Sequence, residues 1–264
     1  MYETLIYSVD ENGIATIRLN RPKQGNSLVV PTGFEEVGAA FRQAGKDPKA
    51  KVVIFCSEGK HFCSGGDIGD MKRRLEEKIY VSEQAVHDAA RVYKDIRLCE
   101  KPTIAMIQGA CVGAGASLAL GCDFRVMADV AYFGMAFINV ALPGDTGGLM
   151  ALYQMCGLSK ALEYTMLGDR ITAEEARQFG LAYKVTSLED LRETTMALAH
   201  RLASGPRMAY QYQKKLFWDV TTAPMWGNYM EEEATGMVDC GRSADYTEAV
   251  LAFLNKRPPV YQGK

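Results

Sequence analysis

Asp145 stands in the stretch AFINVALPGDTGG (136–148), between a Pro-Gly pair and a Gly-Gly pair, and nothing in the run before it can ionise. Two chemistries suit it. A carboxyl among apolar neighbours is desolvated, which lifts its pKa toward neutrality and lets it take and return a proton. An Asp before TGGLMALYQ is also a good helix N-cap, worth about 1 kcal/mol. Two glycine-rich turns offer the complementary group. HFCSGGDIGDM (61–71) and GACVGAGASLALGCD (109–123) each follow an apolar strand pattern and precede a helical one. The free N–H groups at such helix starts point outward with the helix dipole behind them. Two facing turns can hold one oxygen between two N–H groups, which stabilises a developing oxyanion. Ser64-Gly65-Gly66 and Gly113-Ala114-Gly115 are small enough to let an oxygen in. The plain alternative is that both are tight strand-to-helix turns.

Other chemistries fit less well. GAGASL lacks the third glycine of a dinucleotide fingerprint and has no acid at a strand end about 20 residues on. GASLA (115–119) resembles a loosened nucleophile elbow around Ser117, with Asp145 and His200 following in hydrolase order. The elbow needs Gly where Ala119 stands, and His200 falls inside an amphipathic helix. His61 and His87 have surface or core roles as their default.

The elements that must position these residues follow from periodicity. TLIYSV and IATIRL, split by DENG, predict a hairpin. KVVIFCS (51–57), TIAMIQG (103–109) and DFRVMA (123–128) are apolar runs of the kind buried on both faces of a sheet. Helical patterns fall near 32–45 and 80–98, and the chain turns helical from about residue 146. TAEE (172–175) forms a capping box, and Ser243 caps the last helix. Trp218, Trp226, Tyr229 and Met230 form faces that pack on the parent domain or bury a subunit contact. At 264 residues and a net charge of −2, the chain suits one large α/β domain with a helical appendage, and gives no reason to expect nucleic acid or an anionic membrane as partner. No apolar stretch approaches the roughly 20 residues of a membrane span, and the N-terminus carries no basic-then-apolar leader. Seven cysteines, with no C-x-x-C, read as reduced thiols in a cytoplasmic protein, with no structural metal.

LNRPKQGNSL (19–28), HFCSGGDI (61–68), PTIAMIQGACVGAGASLALGCDFRVMA (102–128), LGDRITAEEARQFGLAYKV (167–185) and AFLNKRPPVYQGK (252–264) together resemble the crotonase superfamily of enoyl-CoA hydratases and isomerases. The resemblance runs in order along essentially the whole chain. It implies an α/β fold, a ββα spiral core over residues 1–200 that binds the acyl-CoA thioester, and a helical oligomerisation region over 201–264. It also implies a homotrimer or a dimer of trimers, and no cofactor beyond the coenzyme A of the substrate. By motif position the oxyanion donors are the N–H groups of Ser64 and Ala114, flanked by Gly65, Gly66 and Gly113; Ala114 adds a methyl where relatives often have Gly. CoA contacts are expected from Arg21, Pro22 and Lys23, from the backbone near Phe62, and from Lys256.

The departures are more informative. Hydratases of this superfamily carry two glutamates, and this chain has Ser117 at the first position and Phe137 at the second. Adding water to an enoyl thioester wants one group for the water and another for the α-proton. The resemblance therefore favours a double-bond or ring isomerase in which Asp145 is the single acid/base, its pKa raised by a wall of Phe133, Phe137 and Ile138. An aspartate at this place resembles dienoyl-CoA isomerases, the ring-modifying isomerases of phenylacetyl-CoA breakdown, and the 4-chlorobenzoyl-CoA dehalogenases. In the last it is a nucleophile, helped by a histidine for which His87 sits about one turn too early. An atypical hydratase and a non-catalytic acyl-CoA-binding homologue also stay open.

Overall fold

The computed structural model describes residues 2–264. The elements of the first half are β1 (Leu5–Val9), β2 (Ile14–Leu19), α1 (Thr32–Lys46), β3 (Val52–Ser57), α2 (Ile68–Glu76), α3 (Glu83–Arg97), β4 (Thr103–Ile107), β5 (Ala110–Val112), α4 (Ala114–Gly121), β6 (Phe124–Ala128) and β7 (Tyr132–Gly134). They are followed by α5 (Gly148–Leu167), β8 (Arg170–Thr172), α6 (Ala173–Gln178), β9 (Lys184–Thr186), α7 (Leu191–Ala203), α8 (Arg207–Thr221), α9 (Ala223–Gly241) and α10 (Ala244–Leu254).

β1 and β2 form the expected hairpin, with Leu5 opposite Leu19 and Val9 opposite Ala15. From β2 onward the large sheet is parallel, in the order β1-β2-β3-β4-β6-β9, and a small sheet runs β5-β7-β8. Strands buried on both faces are continuously apolar, as VVIFC in β3 shows: Val52, Val53 and Phe55 are shut off from solvent, and Phe55 meets Phe41 and Phe62 in edge-to-face rings.

The chain repeats one unit: a strand in the large sheet, a strand or bridge in the small layer, a glycine turn, and a helix. β4, β5 and α4 make one such turn of the spiral; β6, β7 and α5 make the next. The turn before them is β3, an isolated parallel bridge between Cys63 and Cys111, then α2. Each pass therefore brings a loop to the same end of the molecule, at residues 64–67, 112–114 and 135–147.

Close packing at these loops explains their small residues. A Cβ on Gly65 would lie 2.8 Å from the Val112 carbonyl oxygen, one on Gly115 would lie 2.6 Å from the Cys63 thiol, and one on Gly148 would lie 2.2 Å from the Ser117 hydroxyl. Overpacking of this kind costs roughly 1–3 kcal/mol. Gly148→Ala is accordingly expected to lose about that much stability, read as a lower midpoint in chemical denaturation with an unchanged slope.

The Thr172 capping box and the Ser243 cap both form: each hydroxyl accepts an N–H, from Glu175 and Tyr246. α5 departs from the continuous helix expected, because Gly157 breaks it at φ 77°. Trp226 stacks on Tyr93 of α3 at 5.6 Å and meets Trp218 edge-on, so these aromatics pack on the parent domain.

Candidate active site

A cavity of about 420 Å³ opens where the three loops meet. Ser64, Gly65 and Gly66 line it from the first loop, Val112, Gly113 and Ala114 from the second, and Phe137, Val140, Leu142 and Asp145 from the third. The first two loops are stitched together by the Val112 N–H donating to the Cys63 carbonyl at 2.8 Å.

The donors differ from expectation at one position. The Ser64 N–H already donates to the Gly25 carbonyl at 3.0 Å, so it is not free to hold a substrate oxygen. Gly66, two residues on, has an N–H that makes no hydrogen bond among the described residues, and so does Ala114 at the first position of α4. The unbonded amides on the cavity lining are therefore those of Gly66 and Ala114, and the Ser64 amide fixes the loop. The cause lies in the Arg21–Ser27 loop, whose Gly25 carbonyl reaches the Ser64 amide.

Asp145 does not cap α5. The N-cap is Gly147, with no side-chain cap bond. Asp145 instead lines the cavity, half-buried, and its Oδ1 accepts the Thr146 hydroxyl at 2.7 Å. Burial pushes its pKa up from the usual carboxylate range to about 6, with the Thr146 bond opposing. The apolar wall is not quite the expected one. Phe137 belongs to it, but Phe133 is sealed in the core and Ile138 is exposed; Val140 and Leu142 take their places.

Four other carboxyls line the cavity, and none has the same freedom. Asp67 caps α2 and accepts the Ser27 hydroxyl at 2.7 Å. Asp70 is held by Arg73 and Arg74 at 2.6 and 2.7 Å. Asp88 pairs with Arg91 at 3.4 Å, and Glu35 is exposed at the rim. Asp145 alone combines burial with no cationic partner and no cap.

The loop carrying Asp145 is strained. Ala141 and Thr146 have φ of 53° and 60°, and Gly144 and Gly147 have φ of 127° and 71°. For a β-branched residue such as Thr146, fully buried here, a left-handed conformation costs on the order of 1–3 kcal/mol. Surrounding bonds must hold it. Ser117 is one holder: its hydroxyl, fully buried, bonds to the Asp145 carbonyl at 3.2 Å. Ser117 does not line the cavity, so its contact is with the loop that carries Asp145. Its hydroxyl bonds to main-chain carbonyls, with no histidine beside it, and His200 is exposed on α7, which leaves the hydrolase reading without a triad.

Sequence reasoning missed Glu233 on α9, which is buried and accepts the Gly147 N–H at 3.2 Å and the Tyr229 hydroxyl at 2.5 Å. A signal exists: Glu233 lies three residues after Met230 and four before Met237, on the stripe that Trp226 begins.

None of the expected carrier-binding residues Arg21, Pro22, Lys23, Phe62 and Lys256 lines the cavity. Arg21 donates to the Ser27 carbonyl at 2.6 Å and approaches Asp67 at 3.7 Å. Pro22 and Lys23 form a short turn beside it. Phe62 is sealed in the core, its N–H taken by the Ala110 carbonyl at 3.0 Å. Lys256 is exposed just beyond α10, whose Phe253 lines the cavity. Met237 and Tyr246 join Phe253 in that lining, so α9 and α10 close the cavity as well as ending the chain. His87 lies 3.6 Å from Glu231 and is not among the lining residues, which removes the histidine a dehalogenase reading would want. No helix among the described residues is long and apolar enough to cross a membrane, and no cluster of potential metal ligands is found among them.

The fold thus spirals in ββα turns and gathers two free N–H groups and a carboxylate residue around one cavity. The family model described as enoyl-CoA hydratase/isomerase matches residues 10–264, and the chain belongs to that family, within the crotonase superfamily. It is 31% identical over 264 residues to the trans-2-decenoyl-[acyl-carrier-protein] isomerase of Streptococcus mutans, covering 100% of this chain and 99% of that protein. It is 32% identical over 263 residues to the 1,2-epoxyphenylacetyl-CoA isomerase of Escherichia coli, covering 98% of each. A crystal structure of an enoyl-CoA hydratase from Mycobacterium avium subsp. paratuberculosis superposes with a TM-score of 0.89 at 26% identity, over 99% of this chain and 100% of that one.

Proposed function

We propose that the protein is an isomerase that moves a double bond, or rearranges a ring, in an acyl thioester, with Asp145 as its single acid/base. The observation that carries this is the Asp145 carboxyl: on the cavity wall, free of cations, and poised near pH 6. The thioester oxygen binds at the Gly66 and Ala114 N–H groups, which draw electron density from the acyl chain and acidify its α- or γ-hydrogen. Asp145 removes that proton, and the charge spreads as a dienolate onto the cradled oxygen. The same carboxyl, now protonated, returns the proton at another carbon. Hydration needs a second group to activate water, and the positions of the two hydratase glutamates hold the buried Ser117 and the apolar Phe137. Two isomerases among the relatives are named for an acyl-carrier-protein and a CoA substrate, which supports a carrier of that kind here.

An apolar acyl group suits the many apolar side chains in the cavity lining, among them Met71, Leu75, Val86, Val140, Leu142 and Met237. Incubation with 2-enoyl, 3-enoyl and aryl thioesters, followed by mass spectrometry, tests the reading. A product of unchanged mass with a relocated bond supports it; a gain of one water points to hydration. Heavy oxygen from labelled water entering the Asp145 side chain would instead favour nucleophilic, dehalogenase-type chemistry.

Acid sensitivity follows from the same carboxyl. Asp145 must be ionised to accept the proton, so kcat/KM is expected to hold between pH about 6 and about 8 and to fall about tenfold per unit below pH about 6. A profile flat down to pH about 4.5 would exclude Asp145 as the base.

Self-association into trimers is part of the proposal. Exposed apolar side chains on α5 and α8, among them Leu158, Met166, Leu216 and Phe217, supply a surface for it, and sedimentation velocity measures the outcome directly.

A further inference from the structure

We propose that Glu233 is a positioning residue for Asp145, holding the 145–147 turn through its main-chain amides and forming with Asp145 a carboxyl pair that carries a single negative charge in the active enzyme. The inference deepens the reading of Asp145 as the acid/base and rests on it for its catalytic consequence.

Glu233 is buried on α9, with one oxygen receiving the Gly147 N–H at 3.2 Å and the Tyr229 hydroxyl at 2.5 Å; the Thr146 N–H also bears on this carboxyl. These amides belong to the two residues after Asp145, in the left-handed segment that Thr146 occupies against its own preference. Strain there persists only if something holds it: Glu233 reaches across from α9 to the Gly147 amide, as Ser117 does from α4 to the Asp145 carbonyl. The second Glu233 oxygen, Oε1, is buried and has no partner.

A bare, buried carboxylate oxygen close to a second carboxylate is an expensive arrangement, and it eases when one of the two groups keeps its proton. Desolvation, then the Asp145 charge, push the Glu233 pKa up to about 8, above that of Asp145. Between pH about 6 and about 8, Asp145 is therefore the ionised member and Glu233 the neutral one. When Asp145 takes the substrate proton, its charge leaves and the repulsion on Glu233 goes with it.

The groups facing the pair offer no cation to alter this balance. Asp145 comes from the loop and Tyr229 from the same helix. From α3, Tyr93 lies against Gly147 and stacks on Trp226, while His87 is turned to Glu231.

Two measurements test the proposal. In protein carrying carboxyl-labelled aspartate, with the Asp145 resonance assigned by its loss in Asp145→Asn, carbon NMR is expected to show a main inflection near pH 6 and a second near pH 8 as Glu233 ionises. The second inflection should vanish in Glu233→Gln and in Glu233→Ala. Its persistence in both folded variants would overturn the pair, whatever the activity. In turnover, Glu233→Ala is expected to lower kcat by about tenfold to 10²-fold with KM close to wild type, as loosened positioning does. Glu233→Gln, which keeps an acceptor for the Gly147 N–H, should recover most of that loss. Equal loss in Gln and Ala variants would overturn the positioning role. An intact NMR signature with no activity dependence on Asp145 would sink the acid/base reading and leave the pair standing.

Discussion

Asp145→Asn is expected to lower kcat by about 10²–10⁴-fold on the isomerase substrate while the thioester still binds. The amide keeps the shape of the carboxyl and can still accept the Thr146 hydroxyl, so the loop geometry survives, but it neither takes nor gives a proton. Folding is not expected to suffer. Asp145 binds its proton more tightly in the folded chain than in the unfolded one, so ionising it costs folded-state stability as pH rises from about 4 through about 6. Above that range the Asp145→Asn protein, neutral at this position, should melt no lower than wild type. Isothermal titration with the thioester and a kinetic assay on the same preparation separate binding from turnover, and a thermal melt at pH about 8, above the Asp145 pKa, checks the fold.

The second large effect concerns the oxygen cradle. Ala114 is the first residue of α4, a position where proline fits because its N–H would have no intrahelical partner. Gly113 before it has φ 55° and ψ −129°, the mirror image of the extended conformation that precedes proline, and Gly tolerates it. Ala114→Pro therefore removes one N–H from the cavity, and sets a ring carbon in its place, without breaking the helix. Loss of one such donor is worth about 10²–10³-fold in rate, and kcat/KM should fall by at least that much while circular dichroism stays unchanged. Full activity in a folded Ala114→Pro protein would remove Ala114 from the mechanism.

Much of this architecture is legible in the residues. Period-two alternation marks the β1–β2 hairpin, and the apolar runs at 52–57 and 103–107 are strands covered on both faces. The capping signals at Thr172 and Ser243 are local chemistry and need no tertiary context. Where expectation and structure part, the cause is long-range. The Ser64 amide is claimed by Gly25, far earlier in the chain, so the free donor shifts to Gly66. Ser117 turns its hydroxyl to the Asp145 backbone because Gly148 packs directly on it. Asp145 would cap α5 if that helix began two residues sooner; Thr146 and Gly147 in left-handed conformations delay the start and leave Asp145 on the cavity wall. Glu233 stands last of three consecutive glutamates, and only the packing of α9 on α3 decides that the third is the buried one.

Three successive spiral loops converge on one cavity. In the proposed reaction the first two loops supply amides and the third a base. α9 and α10 complete the enclosure, so the helical end of the chain takes part in the site as well as in any subunit contact.

The most direct test of the central claim is a crystal structure of the Asp145→Asn protein bound to a 3-enoyl thioester it no longer converts. The account predicts the thioester oxygen between the Gly66 and Ala114 amides, with the side-chain amide introduced at position 145 about 3–3.5 Å from the carbons between which the proton moves. A thioester oxygen seated elsewhere, or a side chain at that position turned away from the acyl group, would contradict it.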